Sequence, residues 1–137
     1  MPLWFKNCIF VFECVLLWNL KSWEKKMEIS HSIQDNIIVI QLAGRFDANG
    51  VAPVKRIFRE LLDKDFLYYV FNFSGVDFVD SSGLGCLISC IHTLKPRKGN
   101  IKVAEMQNKV KSVFELIQLH KVFESYDKVQ TAIDSYK

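Results

Sequence analysis

Chemistry-bearing residues are densest in the run Asp80-Ser81-Ser82-Gly83-Leu84-Gly85. Two hydroxyls follow an acid and stand beside two glycines, ahead of an apolar stretch. Three kinds of chemistry suit such a run. A serine at a helix start can carry a phosphoryl group, because unpaired N–H groups and the positive end of the helix dipole tolerate an anion there. Glycines in the first turn would let another protein's active site come close to Ser81. The plainer alternative is structural: Asp-Ser-Ser before an apolar helix is ordinary N-capping, and glycines there permit close packing. The third is nucleophilic catalysis, which needs a base.

That base is hard to find. The histidines (His31, His92 and His120) are scattered, and no Gly-x-Ser-x-Gly elbow or Walker motif occurs. The cysteines are Cys8, Cys14, Cys86 and Cys90, with no C-x-x-C pair. Neither a metal site nor a disulfide framework is expected, and the thiols read as free in a reducing compartment. No catalytic residue, metal or cofactor is assigned.

The elements that must position Ser81 follow from periodicity. Residues 28–34 and 36–43 read as a hairpin around the turn signal Asp35-Asn36. A loop over 44–50 leads to a helix at 51–64 with Val54, Ile57, Phe58 and Leu61 on one stripe; Lys55, Arg56 and Arg59 lie off it, on a solvated face. Residues 66–73 are a continuous aromatic and β-branched run that suits a strand buried on both faces. A loop at 74–79 precedes Asp80, and a helix spans 81–94. Next come a strand at 101–104, a helix at 107–119 with Val110, Val113, Phe114 and Ile117 inward, and an edge strand at 122–125. Asp127 caps a last helix carrying Val129, Ala132 and Ile133. Alternation of this kind predicts a single α/β domain: a mixed, mostly parallel sheet of four to five strands with about four helices. Ser81 then sits at the carboxyl end of a parallel strand, where such folds place functional groups.

The helix behind Ser81 carries Leu84, Leu87, Ile88, Ile91 and Leu94 at core spacing. Its other side holds Ser82, Cys86, Ser89 and Thr93. A merely solvated face would carry Lys and Glu, so this small, uncharged one reads as a contact surface. Cys86 and Cys90 read as small spacers rather than a redox pair.

Composition changes sharply at Met27. All three tryptophans precede it and all six glycines follow it. The apolar stretch at 8–20 is interrupted by Glu13 and is shorter than the ~20 residues of a membrane span. No small-residue cleavage site accompanies it. Trp23-Glu24-Lys25-Lys26-Met27 back-translates to a purine-rich tract before ATG, like a bacterial ribosome-binding site. Residues 1–26 therefore read as a non-domain leader from a mis-called start, with residues 27–137 as the domain; the alternative is a genuine interfacial or partner-binding tail. The full chain carries 18 basic and 15 acidic residues, a net of +3. Residues 1–26 hold four of the former and two of the latter, leaving 14 against 13, or +1. Neither balance points to nucleic acid or a membrane surface.

Three segments carry a family resemblance: residues 40–48 (Ile40-Gln41-Leu42-Ala43-Gly44-Arg45-Phe46-Asp47-Ala48), residues 73–85 around Asp80-Ser81-Ser82-Gly83-Leu84-Gly85, and residues 108–123 from Asn108-Lys109-Val110 to Lys121-Val122-Phe123. With them the chain resembles the STAS domains, specifically bacterial anti-sigma factor antagonists. The resemblance implies a cytoplasmic binding module without catalysis of its own. It implies that Ser81 is phosphorylated by a partner anti-sigma factor that is a serine kinase. The unphosphorylated form binds that partner and frees a sigma factor; the phosphorylated form lets go, and a metal-dependent serine phosphatase resets it. Asp47 matches a loop aspartate near the phosphosite, and Asn72 departs from the aspartate of many relatives. The alternative within the same fold is an unmodified scaffold subunit of a lipid-transport or transporter complex.

Overall fold

A computed structural model describes residues 27–137; the expected leader at 1–26 lies outside the described residues. Strand β1 (Glu28–Gln34) turns back into β2 (Ile37–Phe46) through Asp35 and Asn36, both left-handed at φ 53° and 66°. Two such residues in a row make the tight turn whose twist suits a hairpin, and Asn and Asp tolerate that conformation best. Helix α1 (Ala48–Asp63), strand β3 (Tyr68–Val79), helix α2 (Ser81–Leu94), strand β4 (Asn100–Ala104), helix α3 (Asn108–Leu116), strand β5 (Glu124–Tyr126) and helix α4 (Val129–Asp134) follow. The sheet order is β1-β2-β3-β4-β5, with β1 antiparallel to β2 and every other pair parallel. This is the mixed five-stranded sheet with four helices that the sequence predicts.

Each parallel crossover advances by one strand in the same direction, so α1, α2 and α3 share one face. Their stripes (Val54, Phe58 and Leu61; Leu87 and Leu94; Val110 and Phe114) close over Ile38, Ile40, Tyr69, Phe71, Phe73 and Val103. Edge-to-face contacts join Phe73 to Phe46 and Phe114, at centroid distances of 6.2 and 6.0 Å. The opposite face is smaller. There α4 lays Ala132 and Ile133 over Ile37, Val39, Val70 and Ala104.

Five expectations need correction. The loop expected at 74–79 is strand: β3 continues to Val79 by bulging twice against β2, with Asp77 as the unpaired residue of the second bulge. Asn72 serves the first bulge, its Oδ1 accepting the Ser74 N–H at 2.9 Å. At 44–50 the expected loop shrinks to Asp47, between β2 and α1. Helix α3 stops at Leu116, and Gln118 turns left-handed at φ 62°, which leaves Ile117 exposed rather than inward. Strand β5 begins two residues later than expected. Asp127 does not cap α4; the Val129 N–H donates instead to Glu105 Oε2, 3.1 Å away, from the end of β4.

Candidate functional site

Strands β2 and β3 end level with each other, Phe46 opposite Val79. Each passes the chain to an aspartate that caps the following helix. Asp47 Oδ1 accepts the Asn49 N–H at 3.0 Å, and Asp80 Oδ1 accepts those of Ser82 and Gly83 at 2.9 and 3.1 Å. The two caps are tied together, since the Asp80 N–H donates to the Phe46 carbonyl at 3.3 Å. Asp47, Asp80, Ser81 and Ser82 therefore gather at the carboxyl ends of the adjacent parallel strands β2 and β3.

Ser81 is the first residue of α2 and is exposed. The cap geometry alters what its hydroxyl can do. The N–H groups of Ser82 and Gly83 are already satisfied by the Asp80 carboxylate, and that of Leu84 by the Asp80 carbonyl at 3.0 Å. An anion on Ser81 would therefore be displayed beside a carboxylate instead of being cradled by the helix end.

The two glycines divide the roles proposed for them. A Cβ on Gly83 would lie 2.4 Å from the Phe46 carbonyl oxygen, so Gly83 is required for α2 to seat against the end of β2. Among the described residues a Cβ on Gly85 would meet nothing within 4 Å. Gly85 is exposed one turn beyond Ser81 and keeps that surface low.

The face behind Ser81 is formed by Ser82, Gly85, Ser89, His92 and Thr93, all exposed. Helix α2 holds no Asp, Glu, Lys or Arg. The Thr93 hydroxyl donates to the Ser89 carbonyl at 3.0 Å, so it is satisfied without a partner. Cys86 does not belong to this face. It is 2% exposed, and Cys90 is equally buried, because α2 packs against α1 as well as the sheet and its buried arc is turned toward both cysteines. The Cys90 thiol donates to Cys86, which holds Cys86 below the usual thiol range; the same bond, with burial, raises Cys90. Lys55 of α1 lowers both.

Sequence reasoning missed Arg45 and Phe78. Opposed across the β2–β3 ladder, they place the Arg45 guanidinium 4.0 Å from the centre of the Phe78 ring, and Arg45 Nε lies 3.7 Å from Asp47 Oδ2. An Arg two residues before the cap acid was the available signal, but the loop assigned at 44–50 hid the alternation that puts both side chains on one face. Among the described residues no cluster of three or more His, Cys, Asp or Glu could hold a metal, and no helix is long and apolar enough to cross a membrane.

An exposed serine at the start of a capped helix, set at the carboxyl end of an interior strand of a mixed five-stranded sheet, is the arrangement the chain presents. The sequence model of the STAS domain family matches residues 28–132, and the chain belongs to that family. Solved structures share the fold. A candidate anti-sigma factor antagonist from Thermotoga maritima superimposes with a TM-score of 0.74 at 20% identity, covering 78% of this chain and 92% of the other. An anti-sigma factor antagonist from Mycobacterium paratuberculosis gives 0.72 at 19%, covering 80% and 92%. SpoIIAA of Bacillus gives 0.65 at 20% in both its unphosphorylated and phosphorylated forms, covering 80% of this chain and 97% and 100% of those chains.

Proposed function

We propose that the chain is an anti-sigma factor antagonist that works in the cytoplasm as a non-enzymatic binding module gated at Ser81. The unphosphorylated form binds an anti-sigma factor that is itself a serine kinase. That kinase transfers the γ-phosphoryl group of ATP to Ser81 Oγ, and the product dissociates until a metal-dependent phosphatase hydrolyses the phosphoester. The observation that carries this reading is the exposed Ser81 hydroxyl beside an Asp80 carboxylate that has already taken the cap N–H groups.

The physics is local. Phosphorylation adds roughly −1.5 to −2 charge. The helix dipole offsets about 0.3–1 kcal/mol of that at an exposed site. Asp80 opposes it at once, and Asp47 stands on the neighbouring strand end. The charge falls at the head of an uncharged contact face, where its desolvation and the repulsion weigh against docking.

The test is to incubate the protein with ATP and each anti-sigma serine kinase of the same genome, then map phosphate by mass spectrometry. Phosphate is expected on Ser81 alone. Ser81→Ala should then bind that kinase constitutively, and Ser81→Asp should bind at least about ten-fold more weakly. Equal affinity of the two variants would refute the gate. If no kinase modifies Ser81, the scaffold-subunit alternative stands instead.

A further inference from the structure

The face behind Ser81 ends in a groove between α1 and α2. Its floor is Phe58 and Cys90, its α2 wall is Ser89 and Thr93, and its α1 rim is Lys55 and Arg59. Its volume, about 120 Å³, suits the end of one side chain and falls well short of the ~300–1,000 Å³ of a small-molecule site. The charge is one-sided. Among the described residues no acidic side chain lines the groove, and α2 contributes none. Among the described residues neither Lys55 nor Arg59 forms an ion pair, and the acids of their own helix, Glu60 and Asp63, do not reach them. Arg97, at the far end, is engaged with the Leu62 carbonyl at 3.4 Å. Two unneutralised cations thus flank a small slot with a low, hydroxyl-lined wall.

We infer that this groove receives an Asp or Glu side chain of the kinase partner, clamped between Lys55 and Arg59; the identity of the partner rests on the function proposed above. A carboxylate complements the rim, and Ser89 and Thr93 admit a neighbouring backbone closely. From Ser81 to Thr93 the helix rises about 18 Å, at ~1.5 Å per residue. Ser81 and the groove are thus the two ends of one docking strip. The clamp fixes the partner's register and speeds encounter, while Ser81 decides whether docking persists.

The test uses the full chain and the kinase that modifies Ser81. Association kinetics are measured at low and high salt for wild type, K55E/R59E and K55Q/R59Q, each first matched to wild type in thermal midpoint. K55E/R59E should associate about ten-fold or more slowly, with a flattened salt dependence, and the Gln pair should fall between. A Glu→Lys or Asp→Lys variant of the kinase that restores binding to K55E/R59E would identify the seated residue. Rates and salt slopes within about two-fold of wild type would overturn the clamp while the Ser81 gate stood. Failure of the kinase to distinguish Ser81→Ala from Ser81→Asp would overturn the functional reading itself.

Discussion

At the scale of single residues, Ser81 and Asp80 were legible because capping is local chemistry: an acid, two hydroxyls and an apolar run suffice to place a helix start. Gly83 and Gly85 looked alike in the sequence and are not alike in the fold. Gly83→Ala pushes a Cβ into the Phe46 carbonyl and should cost about 1–3 kcal/mol. Gly85→Ala occupies open space and removes a helix glycine, so it should stabilise by up to about 1 kcal/mol. Chemical denaturation of the two variants checks the pair; equal destabilisation would mean that Gly83 is not the seat of α2. Cys86 was misplaced for a reason no local pattern reveals: whether the flank of a helix is wet depends on what packs beside it, and here that is α1.

At the scale of elements, long periodic stretches such as Ala48–Asp63 and Ser81–Leu94 were evident, and their ends were less so. Ser74, Gly75 and Asp77 read as turn punctuation, yet β3 absorbs them in bulges because β2 offers a partner along its whole length. The cap of α4 comes from Glu105, 24 residues before Val129, beyond any local rule. Strand β5 has only three residues and is tied by side chains. Lys102, 5% exposed on β4, donates to Ser135 Oγ at 2.6 Å, lies 3.4 Å from Glu124 Oε1 and sits 4.2 Å from the centre of the Tyr136 ring. The Tyr126 hydroxyl donates to Glu124 Oε1 at 2.7 Å and is the main reason that the Glu124 carboxyl titrates below the usual carboxylate range; Lys102 adds to it. A lowered folded value means that this stabilisation is present above the ordinary carboxylate value near 4.3 and fades as pH falls through the folded value. Tyr126→Phe should move the Glu124 titration back toward the ordinary value in carboxyl-detected NMR. An unmoved titration would assign the effect to Lys102. Glu124 is too exposed for the accompanying stability change to be large.

At the scale of the whole molecule, the gate proposed at Ser81 is a change of surface. Ser81 is exposed and stands outside both apolar clusters. Phosphorylated protein should therefore melt within a few degrees of the unmodified form, since opposing surface terms of under about 1 kcal/mol shift a domain of this size by no more. Differential scanning calorimetry of both forms decides it, and a shift beyond about 10 °C would point to rearrangement.

The paired strand ends carry one more consequence. Set side by side, Asp47-Ala48-Asn49-Gly50 and Asp80-Ser81-Ser82-Gly83 are two helix starts of one pattern, each an acid closing its own helix, Asp47 by one N–H and Asp80 by two, and only the second carries hydroxyls. The molecule contains its own blank. Converting Ala48 to serine would offer a kinase a second serine behind a capping acid, with only Ser81 backed by the strip along α2. An enzyme that reads the helix start would mark both; one that reads the strip would pass the first by.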